Sequence, residues 1–201
     1  MKKPAAVDHP IQEGLRERWS PRAFSDQAIP HEILRSLFEA ARWAPSSSNE
    51  QPWAFVVATK DQAEAHAKLV STLYEGNQVW AKNAPLLGIA VSKLAFAKSG
   101  NPNRNAFYDT GAAMADLTLE ATSRGQYVHQ MGGFDPEKAR ELFGIPVGWE
   151  AIAAFVVGYP GDAGSLPDSL REREVGARTR KPLREFVMTE SWGHAAPFLE
   201  K

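Results

Sequence analysis

The sequence predicts one domain spanning residues 1–201 that mixes helices with buried strands, and three observations lead to it. Three short apolar runs, at 53–59, 86–91 and 151–157, are rich in valine and aromatics and have the length of buried strands. Stretches with helical character separate them, clearest at 31–43 and 105–124. At 201 residues and 43% hydrophobic, the chain is long enough to bury one substantial core.

Between 31 and 43 the apolar positions Ile33, Leu34, Leu37, Phe38 and Ala41 recur at helical spacing after Pro30, and Pro45 closes the pattern. The helix at 105–124 is small-sided, with Gly111, Ala112, Ala113, Ala115 and Ala121, and Gly125 ends it. Small residues let another helix approach closely, so this element is either the centre of the core or part of a subunit interface. Asp135 and Pro136 read as an N-cap followed by proline at the first helical position, and Gly144 stops that short helix. From 158 to 181 glycine and proline make the chain loop-like, and Arg171-Glu172-Arg173-Glu174 reads as a solvated charged face. The aromatics Trp192 and Phe198 imply a tail that packs on something.

Composition removes several function classes. The 23 basic and 24 acidic residues leave a net charge of −1, so no global field favours nucleic acid or an anionic membrane. Without cysteine there are no disulfides, thiolate zinc sites, iron–sulfur clusters or dithiol redox chemistry, and a redox role needs a bound cofactor. The five histidines show no metal-ligand spacing, so no metal site is expected. No apolar run reaches membrane-spanning length and none follows the basic N-terminus, which predicts a soluble, cytoplasmic protein. Neither a dinucleotide-binding glycine turn nor a phosphate-binding loop is present, so a bound phosphate must be met by side chains.

Two segments carry the candidate chemistry. Arg18-Trp19-Ser20-Pro21-Arg22 places two guanidinium groups on a proline-stiffened turn, suited to one anionic group. Pro45-Ser46-Ser47-Ser48-Asn49-Glu50-Gln51-Pro52-Trp53 holds hydroxyls and carboxamides between prolines, able to pair with a heterocycle edge and a polyol or simply to satisfy a turn. Arg178 and Arg180, just before Lys181-Pro182-Leu183, are two further anion-binding candidates. Asn77 reads equally as a ligand contact or a helix-end cap, and Gly132-Gly133 as a close backbone approach or a tight turn. Tyr127 and Phe134 fit core aromatics, and Asp109, Asp116 and Glu120 solvated or capping carboxylates.

These motifs, with Glu75-Gly76-Asn77-Gln78 and Gly132-Gly133-Phe134-Asp135 in order between them, resemble the nitroreductase family along nearly the whole chain. The resemblance implies an α+β fold with a mainly antiparallel central sheet flanked by helices, in an intertwined homodimer with two FMN sites at the interface. It implies that Arg18, Ser20, Arg178 and Arg180 hold the FMN phosphate and ribityl chain, and that Arg22 lies near flavin N1 and O2, raising its potential. Ser46, Ser47, Asn49 and Gln51, with Pro45, would reach the flavin from the partner subunit. Asn77 would lie near the flavin, and a Gly132-Gly133 amide would donate to N5. Trp19 falls within the phosphate turn where many members carry a basic residue or histidine, so one contact is missing or is supplied by Lys181. The implied activity is ping-pong transfer of electrons from NADH or NADPH through flavin N5 to nitroaromatics, quinones or similar acceptors, with no side chain acting as acid or base. Reduction of enals, aldehydes or free flavin is the alternative within this class, and a flavin carrier or sensor the alternative outside it.

Overall fold

The protein is described by a computed structural model over residues 2–199. In chain order the elements are α1 (Glu13–Glu17), α2 (His31–Arg42), β1 (Trp53–Thr59), α3 (Ala63–Thr72), α4 (Glu75–Ala81), β2 (Leu86–Lys93), α5 (Ala106–Ser123), β3 (Tyr127–Met131), α6 (Pro136–Phe143), β4 (Trp149–Gly158) and α7 (Asp168–Val175). Four short 3-10 turns complete the set among the described residues.

The strands form one sheet in the order β1-β2-β4-β3, every neighbour antiparallel. β2 is buried along nearly its whole length, which explains its near-continuous apolar run. Period-2 alternation sends Leu87, Ile89, Val91, Ala154 and Val156 to one face, with Leu69 of α3, Trp80 of α4, Ala139 of α6, Trp19 and Phe24. It sends Leu86, Ala90, Phe155 and Val157 to the other, against Leu37 and Ala41 of α2 and Ala113, Met114, Leu117 and Ala121 of α5. A bulge interrupts the β2–β4 ladder: Ala90 pairs with Ala153, but Val91 pairs with Ala151. The extra residue, Ile152, restores the inward parity, so Ala151 and Trp149 stay on the face of Ala154. The architecture is α+β, with helices on both faces of an antiparallel sheet.

The expected helix of 135–144 forms as drawn. The Asp135 carboxylate accepts the Lys138 N–H at 2.9 Å, and Gly144 closes the helix at φ 62°. Asp135→Ala should cost about 1 kcal/mol of stability by losing the cap, measurable as a lower urea midpoint at unchanged m.

Four expectations need correction. β3 is not among the strands the sequence predicts, because its five residues combine apolar Tyr127, Val128 and Met131 with polar His129 and Gln130 and carry too short a period-2 signal. The stretch read as loop contains α7, a full two turns rich in charge. Its Glu174 is not solvated: at 2% exposure it is among the most buried side chains in the protein. The tail aromatics are also largely uncovered by the described residues, Trp192 being 93% exposed and Phe198 78%.

Candidate active site

Arg18 and Arg22 bracket a turn between α1 and the isolated pairing of Phe24 with Pro160 at the exit of β4. That pairing includes hydrogen bonds from Ser25 N–H to Tyr159 O at 3.0 Å and from Gly161 N–H to Ala23 O at 2.8 Å. Glycine is required at 161 because a Cβ there would stand 2.6 Å from the backbone carbon of Phe24. The turn is thus bound to the end of the central sheet.

Two buried groups set its shape. The Glu174 carboxylate accepts the Arg22 N–H at 2.9 and 3.0 Å and the Ala23 N–H at 3.0 Å. From the other side, His129 Nδ1 lies 2.7 Å from Pro21 O, a carbonyl that can only accept, so Nδ1 carries the proton and donates. The His129 ring packs on Trp80 at 4.6 Å between centroids. Burial lowers its pKa to about 4, and the nearby Arg22 charge adds to the effect.

The segment after α7 brings Arg178 and Arg180 to the same place. Lys3, Arg18, Ser20, Arg22, Arg178 and Arg180 line one cleft of about 290 Å3, with Trp19 and Arg173 also in its wall. No carboxylate lines it, and none of its cations forms an ion pair among the described residues. Arg18 donates to Ser20 Oγ at 3.4 Å, and Arg178 donates to the Lys3 and Arg16 carbonyls at 2.6 and 3.2 Å. Burial, reinforced by the charges of Arg178 and Arg180, lowers the Arg18 pKa, and burial with Arg180 does the same to Arg178. The cations repel one another, and the buried Glu174 carboxylate, whose oxygens are held by backbone N–H groups, offsets them only in part. Trp19 is 5% exposed, edge-on to Tyr127 at 6.0 Å and beneath Lys3, whose ammonium lies 4.7 Å from its ring. It acts as the floor of the turn. Lys181 lies outside this cleft, in an adjoining cavity of about 800 Å3 that shares Arg18, Arg178 and Arg180.

Asn77 projects from α4 and donates to Gly133 O at 2.9 Å, a carbonyl that also accepts from Tyr74 N–H at 3.0 Å. A Cβ at Gly133 would stand 2.6 Å from the Asn77 amide nitrogen, so the approach depends on glycine. Asn77 and Gly132-Gly133, read separately in the sequence, are therefore one unit in which the side chain orients the peptide. Gly132 itself is exposed.

The serine-rich loop stands apart. Ser48, Asn49 and Gln51 adopt left-handed φ of 54°, 54° and 50°, strained for residues with side chains. The strain is held by Gln51 N–H donating to Ser46 Oγ at 3.0 Å and by Ser47 N–H donating to the Asp109 carboxylate at 3.0 Å. Asp109 is only 4% exposed, so its role is to anchor the loop to α5. Pro45, Asn49 and Gln51 are exposed, and none of these loop residues lines the arginine cleft. Sequence reasoning missed Glu174, His129, Lys3 and Asp109. The only signal available was the type of residue, since each acts on backbone atoms that are remote in sequence.

Known proteins share this fold. A family model described as Nitroreductase family matches residues 15–159. A crystal structure of an oxidoreductase containing FMN superposes with a TM-score of 0.89 at 38% identity, covering 94% of this chain and 96% of that one. A nitroreductase family protein from Clostridium difficile 630 gives a TM-score of 0.67 at 27% identity over 87% of this chain and 94% of its own. An NADH dehydrogenase from Thermus thermophilus is 30% identical over 180 residues, 74% of this chain and 85% of its own length. With a family match over residues 15–159 and a superposition covering 94% of its length, this chain belongs to the nitroreductase family.

Proposed function

We propose that the protein is an FMN-dependent oxidoreductase that takes electrons from NADH or NADPH and passes them to an electron-poor acceptor such as a nitroaromatic or a quinone. The observation that carries this reading is the cleft of unpaired cations. Five arginines and a lysine lining one small space, with no carboxylate in that lining, suit a phosphate monoester: charge-assisted bonds satisfy the forks and the ligand's charge relieves their repulsion.

The residues fit FMN in type and order. Arg18, Ser20, Arg178 and Arg180 hold the phosphate and ribityl chain. Arg22, at the far end of the same turn, places its positive charge at the pyrimidine edge and raises the cofactor's potential. The Asn77–Gly133 unit holds a backbone amide toward the ring edge. When bound, FMN supplies the hydride acceptor and donor that no side chain of this chain can provide. Replacing Arg22 by Ala should lower the flavin's reduction potential, read by anaerobic potentiometry, while leaving retention nearly intact; an unchanged potential would place Arg22 elsewhere.

The same reading makes the protein a homodimer in which Ser46, Ser47, Asn49 and Gln51 complete the partner's site. Supporting this, the outer face of α5 leaves Tyr108 at 82% exposure beside exposed Gly111 and Ala115, an apolar stripe with no cover among the described residues. Ala115→Arg should give a monomer by light scattering and release flavin. If the variant stayed dimeric and yellow, α5 would not be the interface.

The deciding experiment is the visible absorbance of the purified protein before and after anaerobic NADH or NADPH. A flavin spectrum that bleaches supports the enzyme; a flavin that stays oxidised with both nucleotides points to a carrier. A colourless protein that cannot be loaded with FMN would end the proposal.

A further inference from the structure

The two halves of the arginine cluster come from opposite ends of the chain, and only a few contacts hold them together. Arg18 and Arg22 sit on the early turn, while Arg178 and Arg180 follow α7. Glu174, in the last turn of α7, is the one α7 carboxylate that is buried, and both its oxygens are spent on backbone N–H groups of Arg22 and Ala23. Its own carbonyl accepts the Lys3 ammonium at 2.6 Å, and Arg178 four residues later binds the Lys3 carbonyl. The N-terminal arm, the early turn and the α7 segment are thereby tied at one point.

We propose that Glu174 is the positioning residue for the anion site, a clamp that fixes the Arg178–Arg180 segment against the Arg18–Arg22 turn so that guanidinium groups from both meet one phosphate. The inference rests on the FMN reading for its ligand but not for its geometry. Burying a carboxylate beside Lys3 and the Arg22 backbone lowers the positive potential available to an anion. By charge alone Glu174 weakens phosphate binding, whereas by position it creates the site. The two effects have opposite signs, so substitution separates them.

Glu174→Gln removes the charge and the Oε2 acceptor but keeps Oε1, which can still accept from both amides. Glu174→Ala removes charge and clamp together. The clamp predicts that the Ala variant binds FMN about 10- to 100-fold more weakly, the loss expected when hydrogen bonds to a buried charged group disappear. The Gln variant stays within a few-fold of the parent. If Glu174 acted only through its charge, both variants would bind FMN more tightly, and that result would overturn the proposal. Glu172→Gln, on the exposed face of the same helix, should change affinity little. Should the Ala variant fail to fold by circular dichroism, Glu174→Asp serves instead: it retains the charge and shortens the reach, so the clamp predicts weaker FMN binding and the charge reading none.

Amide hydrogen exchange at Arg22 and Ala23 in flavin-free protein supplies the second readout. Protection in the parent and the Gln variant, lost in the Ala variant, supports the clamp even if no form binds FMN, in which case the cofactor reading alone has failed. Free exchange of both amides in the parent would refute the clamp.

Discussion

Replacing Arg18 and Arg180 together by alanine will weaken FMN retention by about two to four powers of ten, since each charge-assisted bond contributes about 1.5–3 kcal/mol and about 1.4 kcal/mol is a factor of ten. The pair is chosen because neither holds the chain together. Among the described residues, Arg180 is exposed and donates only to the neighbouring Thr179 carbonyl at 2.8 Å, and Arg18 reaches only Ser20 at 3.4 Å. Arg178, by contrast, is tied to the Lys3 and Arg16 carbonyls, so its loss would also free the N-terminal arm. The direction of the stability change is opposite to that of affinity. Arg18 is half-buried among like charges, with its pKa depressed by burial and by Arg178 and Arg180. Removing two cations from a cluster with a large excess of positive charge should leave the flavin-free protein at least as stable as the parent, most visibly at low salt. Equilibrium dialysis of FMN with parallel thermal melts tests both halves. A variant that kept parent affinity would show that the phosphate does not sit in this cleft. Destabilisation of the flavin-free form would show that the arginines are structural.

Acid will destabilise the protein through His129, by about 3 kcal/mol between neutral pH and pH 4. The folded pKa is about 4, against an ordinary value near 6.5 in an unfolded chain. Above about pH 6.5 both states hold the neutral ring and the group contributes nothing to the pH dependence. As pH falls below that value, the unfolded chain takes up a proton that the folded protein refuses, so stability declines down to about pH 4 and then levels as both states are charged. The roughly 2.5-unit gap, at about 1.36 kcal/mol per unit, sets the size of the loss. His129→Gln removes the titration while leaving an amide able to donate to Pro21 O, so its stability should vary less between pH 6.5 and 4. Urea melts of both proteins across that range isolate the difference from the carboxylates they share. Because His129 holds the turn that carries Arg18 and Arg22, flavin should be released by the parent at a higher pH than by the variant. Parallel curves for the two proteins would show that His129 titrates normally.

The stability and the site are joined at the same few atoms. His129 and Glu174 reach the turn from β3 and from α7, and both act on its backbone, leaving the arginine side chains for a ligand. Asp109 does the equivalent for the serine-rich loop. A buried acceptor of backbone N–H groups is well suited to this work, since its hydrogen bonds are charge-assisted and its burial removes competing water.

Much of this was legible in sequence because it depends on local physics. The helix of α2, the capped helix of α6 and the three longest strands follow from periodicity, proline, glycine and β-branched content. The absence of cysteine and of phosphate-binding glycine loops leaves arginines as the anion ligands. β3 and α7 were missed because neither has a clear apolar period: β3 owes its strand to the ladder with β4, and α7 buries little beyond Glu174. The small-residue helix α5 turned out to serve two surfaces, one packed on the sheet and one bare.

By itself, then, the sequence determined the family, the main elements and which side chains could meet a phosphate, because these depend on residue type and short-range spacing. Only the tertiary structure decided that Arg18, Arg22, Arg178 and Arg180 share one cleft, that Asn77 and Gly133 are one unit, and that Glu174 is buried and binds the turn across 152 residues of chain. Convergence of that kind is fixed by how the sheet and its flanking helices pack, and packing leaves no periodic trace in the segments it brings together.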